Sequence, residues 1–146
     1  MISSSTTGVL ASMLASEDVL VRLKANSGFK TRLAQRYAAH MAGTFTTNRL
    51  QNMINQLANE ISATEVSRHE ARWWTGSTAT SGMTAASRAS GISSALSYVT
   101  TRAGNWAAEV ASQLGVSTPV DFTVQKTGSG SIRVQGVPVT ATTFKM

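Results

Sequence analysis

Leu50-Gln51-Asn52-Met53-Ile54-Asn55-Gln56-Leu57-Ala58-Asn59-Glu60-Ile61 is the most regular stretch of this chain, and its period is helical. Leu50, Met53, Ile54, Leu57 and Ile61 fall at i, i+3, i+4, i+7 and i+11, with Gln51, Asn52, Asn55, Gln56, Asn59 and Glu60 between them. A stripe of that spacing predicts an amphipathic helix that buries one face against neighbouring helices. Thr46 or Thr47 can cap it, because a hydroxyl there accepts from an orphan backbone N–H.

Upstream, Phe29, Leu33, Tyr37 and Met41 recur every four residues, with Lys30, Arg32 and Arg36 off the strip. This is a second helix, with Gly43 placed to close it and Asn26-Ser27-Gly28 breaking or re-capping the chain before it. Ser16 precedes Glu17 and Asp18, so it reads as an N-cap followed by acids that oppose the positive helix end. Val19, Leu20 and Leu23 continue that helix. Residues 1–15 hold a short apolar stretch diluted by serine and are expected to be poorly ordered. No Lys or Arg precedes that stretch, so the n-region of a signal peptide is missing.

Downstream, residues 64–74 run from Glu65 to Arg72, Trp73 and Trp74, acid first and base later, as a helix dipole favours. Residues 75–91 are small and polar with almost nothing to bury, and read as a flexible loop. Helical spacing returns at Ile92 and runs through Ala95, Leu96, Val99, Trp106, Val110 and Leu114, with Gly104 a weak point and Gly115 a left-handed stop. Past Pro119 the period becomes two. Val120, Phe122 and Val124 form one strand, Gly128-Ser129-Gly130 the turn, and Ile132, Val134, Val137 and Val139 the second strand and its exit, with a third strand starting before Met146. The expected fold is mainly α, an irregular bundle of about four to five helices with a small C-terminal antiparallel β-hairpin. Its parts would be a poorly ordered 1–15, a helical subdomain 16–74, the loop 75–91, and a long helix with hairpin over 92–146.

The 146 residues include 13 Lys plus Arg, 7 Asp plus Glu and no cysteine, for a formal charge of +6. Cysteine-based catalysis, disulfides and Cys-ligated zinc are therefore excluded. With 42% hydrophobic residues the chain has enough to build a core, and no apolar run reaches the length of a membrane span. Charged residues make up only 14%, and 19 Ser and 19 Thr fill the gap. Of two histidines, His69 is followed by Glu70 as in a zinc-protease helix, but Trp73 stands where the second histidine must fall. His40 lies near a helix end, where an imidazole suits the dipole. Asp121-Phe122-Thr123 lacks the glycine of a kinase magnesium motif, and the Gly128–Gly130 pair joins strand-like runs, unlike a phosphate loop. Trp73 and Trp74 beside Arg68 and Arg72 raise the alternative of a nucleic-acid or polyanion-binding module. The cations are scattered, with 8 in residues 1–74 and 5 in residues 75–146, and define no footprint.

Several short patterns occur in a fixed order. Asn26-x-x-Phe29-x-x-Arg32-Leu33-Ala34-x-Arg36 is followed by the Leu50–Ile61 stripe and by Glu65-x-x-x-His69-x-x-Arg72-Trp73. Leu96-x-x-Val99-x-x-Arg102-x-x-x-Trp106-Ala107-x-x-Val110-x-x-Gln113-Leu114 then leads to Gly128-x-Gly130-x-Ile132-x-Val134-x-Gly136. This order resembles the C-terminal portion of the CotH kinase family, the spore-coat-protein-H-like atypical kinases, from about Val19 to Gly136. Ser27 stands where that family usually has a proline.

The resemblance implies a parent protein that transfers the ATP γ-phosphate to Ser/Thr of coat or surface proteins, at a coat or cell-surface location. The family's nucleotide-binding and catalytic acids lie upstream of these helices. No catalytic, cofactor-binding or metal-ligating position is therefore assigned here, and Mg-ATP belongs only to a complete family member. The chain is expected to be a non-catalytic module whose partner is an N-terminal kinase-like region or another protein. A free-standing surface or adhesion domain is the remaining alternative. The candidate contact residues are Arg68, His69, Arg72, Trp73 and Arg102, where charge and aromatic area coincide. The competing role for them is a structural corner, with Arg72 and Arg102 tying helix ends and Trp73 filling the core.

Overall fold

Asn26 begins the helix on which the rest is assembled: its side-chain oxygen accepts from the Phe29 backbone N–H at 3.0 Å and caps α3 (Ser27–Gly43). The computed structural model describes residues 9–73 and 84–146. Before α3 come α1 (Val9–Ser16) and α2 (Asp18–Leu23), and after it α4 (Thr47–Glu60), α5 (Ala63–Trp73) and the 30-residue α6 (Ala85–Leu114). Four short strands follow: β1 (Asp121–Thr123), β2 (Ile132–Val134), β3 (Val137–Val139) and β4 (Thr143–Lys145). The chain is mainly α with a small antiparallel β region, as its patterning predicts.

Leu14, Ala38, Trp106, Ala107, Val110 and Leu114 form the buried cluster, with Leu20, Leu33, Tyr37 and Met41 packed against it. The C-terminal half of α6 thus meets α3 and α1. Tyr37 and Trp106 stack tilted, ring centroids 5.7 Å apart. Leu14 is only 3% exposed, which corrects the expectation of poor order over 1–15: residues 9–15 are helical and Leu14 packs into the cluster formed with α6. Residues 1–8 lie outside the described residues. Ser16 does not cap the next helix. It ends α1, and its hydroxyl donates to the Ser12 carbonyl at 2.9 Å.

The expected loop 75–91 also needs correction. Residues 75–83 lie outside the described residues, but 85–91 already belong to α6. A reciprocal capping box starts the helix: Thr84 Oγ1 accepts from the Ser87 N–H at 3.0 Å and Ser87 Oγ from the Thr84 N–H at 2.9 Å. Alanine-rich turns need no apolar stripe to be helical, so a pattern with little to bury reads as loop. Arg88 then reaches back to the end of α4, donating to the carbonyls of Ala58 and, at 3.0 Å, Ile61. Gly104 does not interrupt α6, and Gly115 ends it at φ 60°, ψ 42°.

The β region differs from its predicted register. β2 and β3 pair across Gln135-Gly136, both at positive φ (51° and 79°), so the tight turn lies there and not at Gly128–Gly130. β1 pairs with β4, the strand beginning before Met146, and Phe122 faces Phe144. The inner hairpin is therefore nested between the strands of the outer pair. It is pinned to α3: Thr140 and Ala141 N–H groups donate to the Ala42 carbonyl at 3.4 and 3.2 Å, and Arg36 donates to the Gln135 carbonyl at 3.3 Å. Gly43 is essential to this seam. A Cβ at that position would overlap the Pro138 carbonyl.

Gly43→Ala should therefore destabilise the protein by about 1–3 kcal/mol through overpacking against backbone. Gly104→Ala, where nothing lies within 4 Å, should stabilise it by about 0.5–1 kcal/mol. Urea midpoints of the two variants check both signs.

Candidate interaction surface

Ser62 and Glu65 set the direction of α5. Glu65 Oε2 accepts from the Ser62 N–H at 2.9 Å and from its hydroxyl at 3.0 Å, while Ser62 Oγ accepts from the Glu65 N–H at 3.2 Å. The Ser62 backbone bond, then its hydroxyl, holds the Glu65 carboxyl below the usual carboxylate range. Val66 is the buried anchor of α5, and it leaves Arg68, His69, Arg72 and Trp73 on exposed positions of the same helix. The Arg72 guanidinium sits 5.4 Å from the Trp73 ring centroid. Trp73 is 64% exposed, so it does not fill the core, and Arg72 covers an indole face instead of tying a helix end. Trp74 lies outside the described residues.

Arg102 belongs to a different place. It projects from the middle of α6, pairs with Glu109, and donates to the Tyr37 hydroxyl at 3.2 Å. Both charged side chains are mostly covered, at 17% and 11% exposure. Burial pulls the Arg102 pKa down, but the Glu109 and Tyr37 hydrogen bonds outweigh it and the net shift is upward. Arg102 therefore locks α6 to α3 at mid-helix. The structure brings four of the five candidate contacts together on α5 and assigns the fifth to the α3–α6 seam.

The stripe on α4 is only half covered. Leu50 and Ile54 are partly buried, and Gln51 donates to Thr100 of α6 at 3.0 Å. Met53 (47%), Leu57 (58%) and Ile61 (47%) remain exposed, against the expectation that the whole stripe is buried. Beside them, Asn48, Asn52 and Gln56 line a cleft of about 650 Å³ between α4 and the β3–β4 connection, with Arg49, Thr46 and Thr140. These polar residues were legible only as the hydrophilic side of a helix. Their spacing of four was the available signal. A smaller apolar slot of about 130 Å³ lies between Tyr37, His40, Met41 and Phe45. His40, in the last turn of α3, has Nδ1 3.1 Å from the Thr44 hydroxyl.

Among the described residues no group of three or more His, Asp or Glu could hold a metal ion, and no helix is long and apolar enough to cross a membrane. No family model, curated protein or solved structure matches the chain.

Glu109→Ala should cost about 1–3 kcal/mol because it strands a covered guanidinium, whereas Arg102→Met with Glu109→Leu should cost less than the single change. A double-mutant cycle by chemical denaturation checks this. The Glu65 carboxyl contributes stability in full above its unfolded pKa of about 4.3, and loses it as pH falls through the lower native value. Glu65→Ala should flatten that part of the acid limb in a stability–pH profile.

Proposed function

We propose that the chain is a non-catalytic structural and interaction module of a CotH-like atypical protein kinase, whose partner is the kinase-like region of such a protein. That parent would transfer the ATP γ-phosphate to Ser/Thr of coat or surface proteins. The order of the short motifs supports the family reading. The module reading rests above all on outward apolar side chains of α4 and its end: Met53 and Leu57 lie on successive turns of the helix and Ile61 is the extended residue that follows it, all about half exposed. Val19 (68%) and Val21 (46%) on α2, with Trp73 on α5, add further uncovered apolar area. Apolar rows of this kind mark surfaces that meet another protein.

The module supplies packing area, and Arg68 and Arg72 supply charge at its rim. The family motifs place no phosphate-binding lysine, metal-binding acid or catalytic base in this chain, so phosphoryl transfer would be carried by the kinase-like region. Kinase-like sequence in the reading frame upstream of Met1 would support the family assignment directly.

Thermal melts with and without millimolar Mg-ATP provide the biochemical test. The module reading predicts no change. A ligand held at 100 times its Kd would add about 2.7 kcal/mol, so a melting point raised by several degrees would overturn it in favour of an enzyme.

A further inference from the structure

The cleft beside α4 has a chemistry that the module reading does not use. Asn48, Asn52 and Gln56 occupy i, i+4 and i+8, so their amides stand on consecutive turns along one wall. All three are exposed, and none of the side-chain hydrogen bonds among the described residues engages them. Each amide carries an acceptor oxygen and two N–H donors, a set that matches a peptide unit donor for acceptor.

Their spacing fits the same ligand. A rise of about 1.5 Å per residue separates i from i+4 by about 6 Å along the helix. An extended chain advances about 3.2–3.4 Å per residue, or about 6.6 Å for two residues. A row of amides on a helix can therefore meet alternate peptide units of a strand lying alongside it, over about four residues.

The rest of the lining selects among peptides. Met53 offers apolar contact to the side chains that point toward α4. Arg49 is the only charged residue of the lining, and no carboxylate lies there. A segment carrying a carboxylate is complementary to it, and a segment carrying lysine is not. The opposite wall is firm, because Thr140 and Ala141 are bonded to the Ala42 carbonyl and Gly43 admits β3 against the end of α3.

The geometry points to this cleft as a binding site for an extended acidic peptide segment, held through its backbone by Asn48, Asn52 and Gln56 and selected by Arg49. The site shares Met53 with the apolar row described above, but its test does not depend on the kinase-family reading.

The test uses the full chain labelled with 15N, whose side-chain NH₂ resonances report on these amides directly. It is titrated with a randomised heptapeptide mixture bearing a fixed central Glu, with the same mixture bearing a fixed central Lys, and with maltoheptaose. The Glu mixture should shift the Asn48, Asn52 and Gln56 resonances, and the Lys mixture should shift them less. Asn52→Ala, an exposed change to a stronger helix former, should weaken binding about five- to tenfold. Arg49→Glu should abolish or reverse the preference for Glu. Shifts with maltoheptaose but not with peptides, no shifts with any probe, or unchanged binding by Asn52→Ala would each overturn the assignment.

Discussion

The packing of Trp106, Val110 and Leu114 against Leu14 and Ala38 is the contact on which the molecule depends. Val110 and Leu114 are each 1% exposed, the most completely buried large side chains among the described residues. The fully buried positions on α3 are small: Ala38, Ala39, Ala42 and Gly43. Small residues let α3 be approached from two sides. α6 covers one and the β2–β3 hairpin covers the other, with Val137 buried at 5% exposure. A two-stranded hairpin is marginal alone in water, and here it is stabilised by docking on that helix.

This arrangement decides what is left outside. The C-terminal part of α6 is used by the core, and the bonds from α6 to α4 and α5 involve Ala85, Arg88 and Thr100, upstream of it, where the sequence is rich in Ala and Ser. A thin partner cannot cover a broad stripe. α4 therefore keeps Met53 and Leu57 in solvent, and its amide row opens toward the β3–β4 connection. The apolar row and the amide row lie side by side on one helix.

Much of the helical architecture was legible from period alone. The spacing of Phe29, Leu33, Tyr37 and Met41 marks α3, and Gly115 marks the end of α6, because both are local signals. What stayed hidden depends on distant partners. Leu14 becomes a core residue only because α6 reaches it. Gly128-Ser129-Gly130 looked like the stronger turn, yet Gln135-Gly136 closes the hairpin because strand pairing there is pinned by Arg36 and Ala42, about 90 to 100 residues away. Among the candidate contacts, spacing identified Arg68, His69, Arg72 and Trp73 as neighbours on one helix. It could not separate Arg102, whose place is set by Tyr37 and Glu109. An amphipathic stripe states that a face is apolar but not what covers it, which is why the exposure of Met53, Leu57 and Ile61 emerged only in three dimensions.

α6 and α3 carry the buried core, while Met53 and Leu57 on the outer face of α4 lie outside it. Native-state amide hydrogen exchange resolved by residue tests this division most directly. Residues 37–42 and 106–114 should exchange only with global unfolding, and 53–60 should exchange faster, through local opening. Protection of 53–60 equal to that of 106–114 would contradict the account, because α4 would then already be part of the closed core.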